Sequence, residues 1–180
     1  MNNEDQILMR GLYELKPKWQ TYSYFLCKVA EFGTSFEYAW MRYGRADEMM
    51  WMIAAMKFDR KQILDVIATC CQDEAVGLEE YYARFFVRLT EWCHGCIEDH
   101  ELEHCSQYLS AHIVRKEELS DSVEVIHRVV TASQLWNQGQ TFVHHAWHCF
   151  ALRNSEEYMK TLLVQFPFAA IRERLIQIAD

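Results

Sequence analysis

The stretch that decides the fold is "ADEMMWMIAAM", Ala46 to Met56. Its first residues include two acids, Asp47 and Glu48, which are favourable near the partial positive charge of a helix N-terminus. Every other residue in the stretch is apolar, so no polar face remains for solvent. A helix that is apolar on nearly all sides is buried on most of them. The stretch therefore predicts a helix that is buried on most sides.

Helical spacing continues on both sides of this stretch. "EDQILMRGLYEL" places Ile7, Leu8, Leu12 and Leu15 on one stripe, and Pro17 ends that helix. The next helix carries a second stripe and stops near a glycine; these residues are Trp19, Tyr22, Leu26, Val29, Ala30 and then Gly33. Further start and stop signals are expected at Ser35, Asp59, Gly77, Gly95, Asp99, Ser120 or Ser122, Gly139, Ser155 and Pro167.

Composition agrees with this pattern. The chain has 180 residues with only 6 Gly and 2 Pro, which favours long helices with few tight turns. Apolar residues make up 51% of the chain, enough for a substantial core. We predict an all-α fold, a single compact multi-helix domain of about nine or ten helices that spans residues 1–180.

Charge and cysteine content narrow the class of protein. The net charge of −8 and the absence of a Lys/Arg cluster disfavour general nucleic-acid binding, which needs a basic face. The polar N-terminus "MNNEDQILMR" lacks a signal pattern, and no apolar run reaches the length of a membrane span. Seven cysteines at irregular spacing fit reduced thiols. We expect a cytoplasmic protein, in the cytoplasm of a bacterial host.

A cluster of cysteines and histidines occupies "EWCHGCIEDHELEHC", Glu91 to Cys105. Cys93 and Cys96 form a CxxC pair, and His100 and His104 form an HxxxH pair. On one continuous helix, Cys93 and His104 would be about 16 Å apart along the axis, too far to share an ion. A break at Gly95 would fold the two halves together. We favour a helix end at Gly95 with cysteines as apolar filling, and predict no metal ligands.

A second group of metal-ligating side chains lies in "FVHHAWHCF". His144 and His148 are four residues apart, as are His145 and Cys149, and either pair has chelating spacing. A second segment would be needed to complete either site. We favour partly buried, hydrogen-bonded histidines on an aromatic-rich helix.

Two common signatures of catalysis are absent from the sequence, which contains no GxSxG and no Gly-rich phosphate loop. A cysteine nucleophile paired with one of the eight histidines stays open as an alternative. We predict that the protein is not an enzyme, with no catalytic residues and no cofactor.

The stretch "SFEYAWMRYGRADEMMWMIAAMKFDRKQILDVIATCCQ" resembles a family of uncharacterised all-helical proteins encoded by phages, plasmids and bacterial genomes. Some members carry the label of immunity proteins. The match covers about residues 34–98, and Glu48 departs from it because the family often has tryptophan there. The residues that carry the resemblance are Ala39, Trp40, Asp47, Met49 to Ile53, Arg60, Lys61, Ala68, Cys70, Cys71, Trp92 and Gly95.

The resemblance implies a helical fold and a role in binding other proteins, without catalytic or metal residues. We therefore expect a non-enzymatic protein of mobile-element type that acts as an immunity protein or as an inhibitor of a host defence protein. Candidate partner contacts are Arg42, Tyr43 and Arg45, expected at a surface turn. The protein partner is unidentified. Two alternatives remain: a self-associating assembly protein, and a zinc-stabilised regulator that uses the cluster at residues 93–105.

Overall fold

The computed structural model describes residues 1–114, 120–152 and 155–180. These residues form eleven α-helices, one π-helical turn and one 3-10 turn, with no strand among them. The predicted all-α class and helix number are thereby confirmed. Contacts divide the chain into two compact units: residues 1–57 with 155–180, and residues 58–154. The single domain over residues 1–180 stays a prediction, and residues 115–119 and 153–154 of that span lie outside the described ones.

The first unit contains six α-helices in its described residues. Their bounds are α1 Asn3–Glu14, α2 Trp19–Leu26, α3 Phe36–Met41, α4 Ala46–Ala55, α10 Glu156–Gln165 and α11 Phe168–Ala179, with a π-helical turn at Cys27–Glu31 directly after α2. Helix α1 packs on α11, and α4 packs on α10.

The core of the first unit is built from aromatic and methionine side chains. Phe25 stacks on Phe36 with ring centroids 5.0 Å apart, and Trp40 lies against both rings. Helix α4, the stretch that decided the fold, buries Met49, Met50, Met52, Ile53 and Ala54. Its predicted burial is confirmed.

The second unit contains the other five α-helices of the described residues. Their bounds are α5 Arg60–Cys71, α6 Glu80–Cys93, α7 Asp99–Val114, α8 Asp121–Gln134 and α9 Gly139–Ala151, with a 3-10 turn at Gln72–Ala75 after α5. Helix α8 contacts α5, α7 and α9 and is therefore central to this unit. Its buried side chains include Val125, Ile126, Val129 and Val130.

The helix starts follow the predicted capping residues. The side chains of Ser35, Asp59, Ser120 and Ser155 each accept a hydrogen bond from a backbone N–H in the first turn of α3, α5, α8 and α10. Each cap satisfies one of the N–H groups that a helix start leaves unpaired. Ser120 rather than Ser122 caps α8, which resolves that alternative.

The stripe predicted for α2 is wrong in part. Val29 is buried as predicted, but Trp19 and Ala30 are exposed. Thr21 and Phe25 are the buried residues, one position before the predicted Tyr22 and Leu26. Thr21 is buried because its hydroxyl lies 2.9 Å from the Tyr43 hydroxyl and donates to Glu48. A count of apolar residues overlooks such a satisfied polar group.

Two further expectations concern cysteines and membranes. No disulfide joins the seven cysteines, all of which are in the described part of the chain. Among the described residues, no helix combines the length and the apolar character needed to cross a membrane.

Candidate protein-interaction surface

Several large apolar side chains of the first unit are exposed on its N-terminal helices. Phe32 is 69% exposed, Tyr38 is 53% exposed, and Met41 is close to half exposed. Tyr38 and Met41 of α3 and Arg42, which directly follows that helix, lie on one side because they are three and four residues apart. The half-buried Tyr24 and Lys28, on α2 and the π-helical turn, complete the group. We call Tyr24, Lys28, Phe32, Tyr38, Met41 and Arg42 the aromatic–cationic surface.

Cations lie over the aromatic rings of this surface. The Lys28 ammonium lies 5.9 Å from the ring centroid of Tyr24 and 5.3 Å from that of Phe32. The Arg42 guanidinium carbon lies 5.7 Å from the ring centroid of Tyr38. These distances lie within the range of cation–π attraction, worth about 0.5–1 kcal/mol at exposed sites. These three contacts hold the long basic side chains against the rings.

Local backbone chemistry places Phe32 at the exposed turn. The Phe32 N–H donates to the Cys27 carbonyl over 3.1 Å, which closes the π-helical turn. Gly33 follows with φ +66°, a conformation that glycine adopts without a steric cost. Both the backbone N–H and the hydroxyl of Thr34 then donate to the Lys28 carbonyl. The chain is therefore fixed on both sides of the exposed ring.

Tyr24 connects this surface to the core. Its hydroxyl donates to the Ala39 carbonyl over 3.2 Å, and its ring lies 5.0 Å from the ring of Tyr43. Burial raises the pKa of Tyr24, nearby Tyr38 raises it further, and Arg42 lowers it. Tyr24 is therefore a neutral donor at ordinary pH and ties α2 to α3.

The three candidate contact residues have different surroundings. Arg42 is exposed and belongs to the aromatic–cationic surface. Tyr43 is 6% exposed, so its expected position at the surface is wrong. Its ring packs against Phe25 and Tyr24, and burial is the main cause that raises its pKa. Arg45 has a half-exposed side chain whose guanidinium donates to both carboxylate oxygens of Asp47.

Two buried carboxylates explain why Arg45 is engaged. Asp47 and Glu48 are almost fully buried at the start of α4. Lys18 donates to Glu48 over 2.6 Å, and Arg45 lies 3.7 Å from the same carboxylate oxygen. The hydrogen bonds to Asp47 raise the pKa of Arg45. Buried charges need such partners, and we assign Arg45 a structural contact in addition to any contact with a partner protein.

The Cys/His cluster at residues 91–105 contains a helix end and a helix start, as the sequence predicted. Helix α6 ends at Cys93, and Gly95 follows with φ +74°. The Cys96 N–H donates to the Glu91 carbonyl over 2.8 Å. The indole N–H of the buried Trp92 donates to Asp99 over 2.8 Å. This last bond spans the connection and fixes α7 relative to α6.

The members of this cluster face different neighbours. The Cys93 thiol is near Lys61 and Asp65 of α5, and burial raises its pKa to about 12. His94 is 3.4 Å from Asp65. Cys96 is exposed at the turn. The cysteines of the CxxC pair therefore differ sharply in their surroundings.

The other members of the cluster line a groove between α6 and α7. The groove has a volume of about 470 Å³ and includes Arg84, Arg88, His100, His104 and Cys105 among its lining residues. Burial raises the pKa of Cys105, while the two arginines lower it. Across the described residues, no three side chains of His, Cys, Asp or Glu gather as ligands for one metal ion.

The two pairs with chelating spacing on α9, His144 with His148 and His145 with Cys149, make different contacts. Nε2 of His144 lies 2.9 Å from Nε2 of His148. The buried Cys149 thiol instead donates to the backbone carbonyl of His145 over 3.3 Å. The hydrogen bond expected from the sequence is present between His144 and His148. The Nδ1 atom of His145, by contrast, is buried without a hydrogen-bond partner among the described residues.

Comparison with protein-family models, curated proteins and solved structures returned no match to this chain. The resemblance to the phage- and plasmid-encoded helical family therefore stays a prediction.

Proposed function

We propose that the protein is a non-enzymatic, protein-binding protein of mobile-element type, which acts as an immunity protein or as an inhibitor of a host defence protein. The aromatic–cationic surface is the contact region. The main observation behind the proposal is that the rings of Phe32 and Tyr38 are exposed and that each has a basic side chain beside it. Hydrogen bonds hold the backbone on both sides of Phe32.

The chemistry of this surface suits a protein partner. Aromatic, methionine and arginine side chains are enriched at protein interfaces and carry much of the binding energy. Large aromatic groups bury much area while losing little side-chain freedom. Lys28 and Arg42 supply two cations to this surface, with the exposed Glu31 and Glu37 close by in the sequence. We expect a partner surface with apolar groups flanked by carboxylates.

Pre-organisation supports the same function. The turn at Phe32 and Gly33 and the hydroxyl bond of Tyr24 already hold the backbone of this surface. Binding to a pre-organised surface avoids part of the entropy cost of ordering loops and side chains. The exposed rings therefore suit direct docking to a partner.

Site-specific photo-crosslinking tests the location of the contact. A photoreactive phenylalanine analogue at Phe32 or Tyr38 is expected to give a discrete adduct with another protein in bacterial cells. The matched control is Val164 of α10, a strongly exposed apolar residue of the same unit that lies outside the surface. Equal adducts at Val164 would contradict the assigned location.

Mass analysis of the adduct separates the classes of function. An adduct between this chain and a different protein supports the proposed role, and inhibition of that protein by purified wild-type chain would establish it. The Phe32→Ala, Arg42→Ala double variant is expected to lose the inhibition while Val164→Ala retains it. An adduct with a second copy of this chain would instead favour the assembly alternative.

A further inference from the structure

We propose that His144 and His148 form a bidentate site for a divalent first-row transition metal ion on the exposed face of α9, with the remaining coordination positions open. The site belongs to the second unit. It is independent of the proposed function.

The geometry of the two rings carries this inference. The residues are one helical turn apart, and their Nε2 atoms lie 2.9 Å from each other. Two imidazole nitrogens that bind one tetrahedral ion, each at 2.0–2.1 Å, are separated by roughly 3.3 Å. A small rotation of either ring therefore opens the hydrogen-bonded pair to the separation that an ion requires.

Metal binding requires a change in the hydrogen bond between the two rings. A neutral imidazole supplies the lone pair that ligates a metal. In the metal-free pair, the Nε2–H of one ring donates a hydrogen bond to Nε2 of the other. On binding, the donor ring changes tautomer, so that its proton is on Nδ1, the ring stays neutral and both Nε2 lone pairs face the ion.

The neighbouring Trp147 lies close to both rings, and its fluorescence can report metal binding. Its ring centroid lies 4.5 Å from that of His148 and 5.8 Å from that of His144. Imidazole ligands suit Ni²⁺, Cu²⁺ and Zn²⁺. A paramagnetic Ni²⁺ ion at this pair would quench the fluorescence of Trp147 by proximity.

A second histidine pair supplies a matched control. His100 and His104 of α7 have the same four-residue spacing and are both exposed. They line the groove beside Cys105, and no ring contact joins them in the described part of the chain. Residues His100 to His104 read HELEH, the HExxH pattern of zinc metalloproteases, so sequence pattern alone would favour that pair. The observed contact between the two Nε2 atoms favours His144 and His148 instead.

Ni²⁺ titration by calorimetry and fluorescence tests the site on full-length protein without a histidine tag. The background variant Cys96→Ser removes the exposed thiol, which would itself bind metal. We expect one Ni²⁺ per chain, with affinity about tenfold or more weaker in His144→Ala or His148→Ala because one of two ligands is lost. The His100→Ala, His104→Ala variant should retain the affinity.

Trp147→Phe should keep the stoichiometry while losing much of the quenching, which places the ion beside this residue. Circular dichroism verifies folding, and His144→Gln, at an exposed position, replaces any variant that unfolds. The proposal would be overturned if no Ni²⁺ bound, or if the affinity were unchanged in the His144 and His148 variants. It would also be overturned if only the His100 and His104 variant lost affinity.

Discussion

Gly11 of α1 packs directly against Leu175 of α11, because a Cβ atom at position 11 would lie 2.1 Å from the carbonyl oxygen of Leu175. The contact is with backbone, which moves only if the whole helix moves. Gly11 therefore sets the distance between the two helices that contact each other most extensively in the first unit. No other glycine of the chain has a neighbour this close.

Gly11→Ala is predicted to destabilise the protein despite the better helix propensity of alanine. Forcing a methyl group into a packed contact costs about 1–3 kcal/mol, and more where backbone must separate. The gain in propensity, about 1 kcal/mol, offsets part of this cost. Urea unfolding monitored by circular dichroism measures the difference. Gly44→Ala is the control, since a Cβ there meets nothing within 4 Å, and an equal loss in both variants would contradict the explanation.

Glu48→Gln is predicted to lower the free energy of unfolding by about 1–3 kcal/mol, because a hydrogen bond to a charged group is lost in a buried position. The carboxylate accepts from Lys18 and Thr21, so the amide would leave at least one of these donors poorly satisfied. The exposed Glu14 is the control, and Glu14→Gln should change stability by less than about 0.5 kcal/mol. A neutral effect of Glu48→Gln would show that the buried charge is dispensable.

Cys93 and Cys96 are predicted to react very differently with iodoacetamide. Burial raises the pKa of Cys93 to about 12, so almost none of it is thiolate at pH 8, whereas Cys96 is exposed at the turn. The thiolate is the reacting species. Peptide mapping by mass spectrometry should show rapid alkylation of Cys96 and slow alkylation of Cys93. Similar rates would contradict the packed helix end, and protection of both by bound zinc would revive the zinc-stabilised alternative.

The free energy of unfolding is predicted to fall as the pH drops below about 6.5, which is the ordinary pKa of a histidine side chain. Burial lowers the pKa of His127, His145 and His148 in the folded chain, with Arg128 lowering all three further. The unfolded chain therefore binds protons first, and each histidine stabilises the fold fully above pH 6.5 and progressively less as the pH falls through its folded pKa.

Urea unfolding between pH 7.5 and pH 5 measures this effect. The slope of stability against pH in this range should decrease in His127→Gln, since a group that takes up a proton on unfolding is removed. His100→Gln serves as the control at an exposed position. An unchanged slope in His127→Gln would show that this histidine is equally protonated in both states.

Helix boundaries were predictable because the signals that set them are local. Ser35, Asp59 and Ser155 cap their helices through hydrogen bonds to N–H groups two or three residues away. Gly95 adopts a positive φ immediately after α6, and Pro167 stands between α10 and α11. Each signal depends on only a few neighbouring residues, so the pattern of helices follows from the order of the residues.

The candidate sites were less predictable because they depend on side-chain orientation and on contacts between distant segments. The spacing rules rated the histidine pairs of α7 and α9 alike, whereas the side-chain orientations on α9 bring the Nε2 atoms of His144 and His148 together. Tyr43 follows an exposed arginine in sequence, yet the rings of Phe25 and Tyr24 cover it.

The sequence by itself determined the all-α class, the buried helix at Ala46–Ala55, and the helix end at Gly95, since apolar periodicity, capping and backbone φ act within a few residues. Tertiary structure alone decided that Thr21 faces the core, that Gly11 is the contact point for Leu175, and that the cysteines and histidines of residues 93–105 separate onto different neighbours. Those outcomes depend on hydrogen bonds to buried polar groups and on close packing between segments far apart in the chain. A pattern of neighbouring residues does not contain that information.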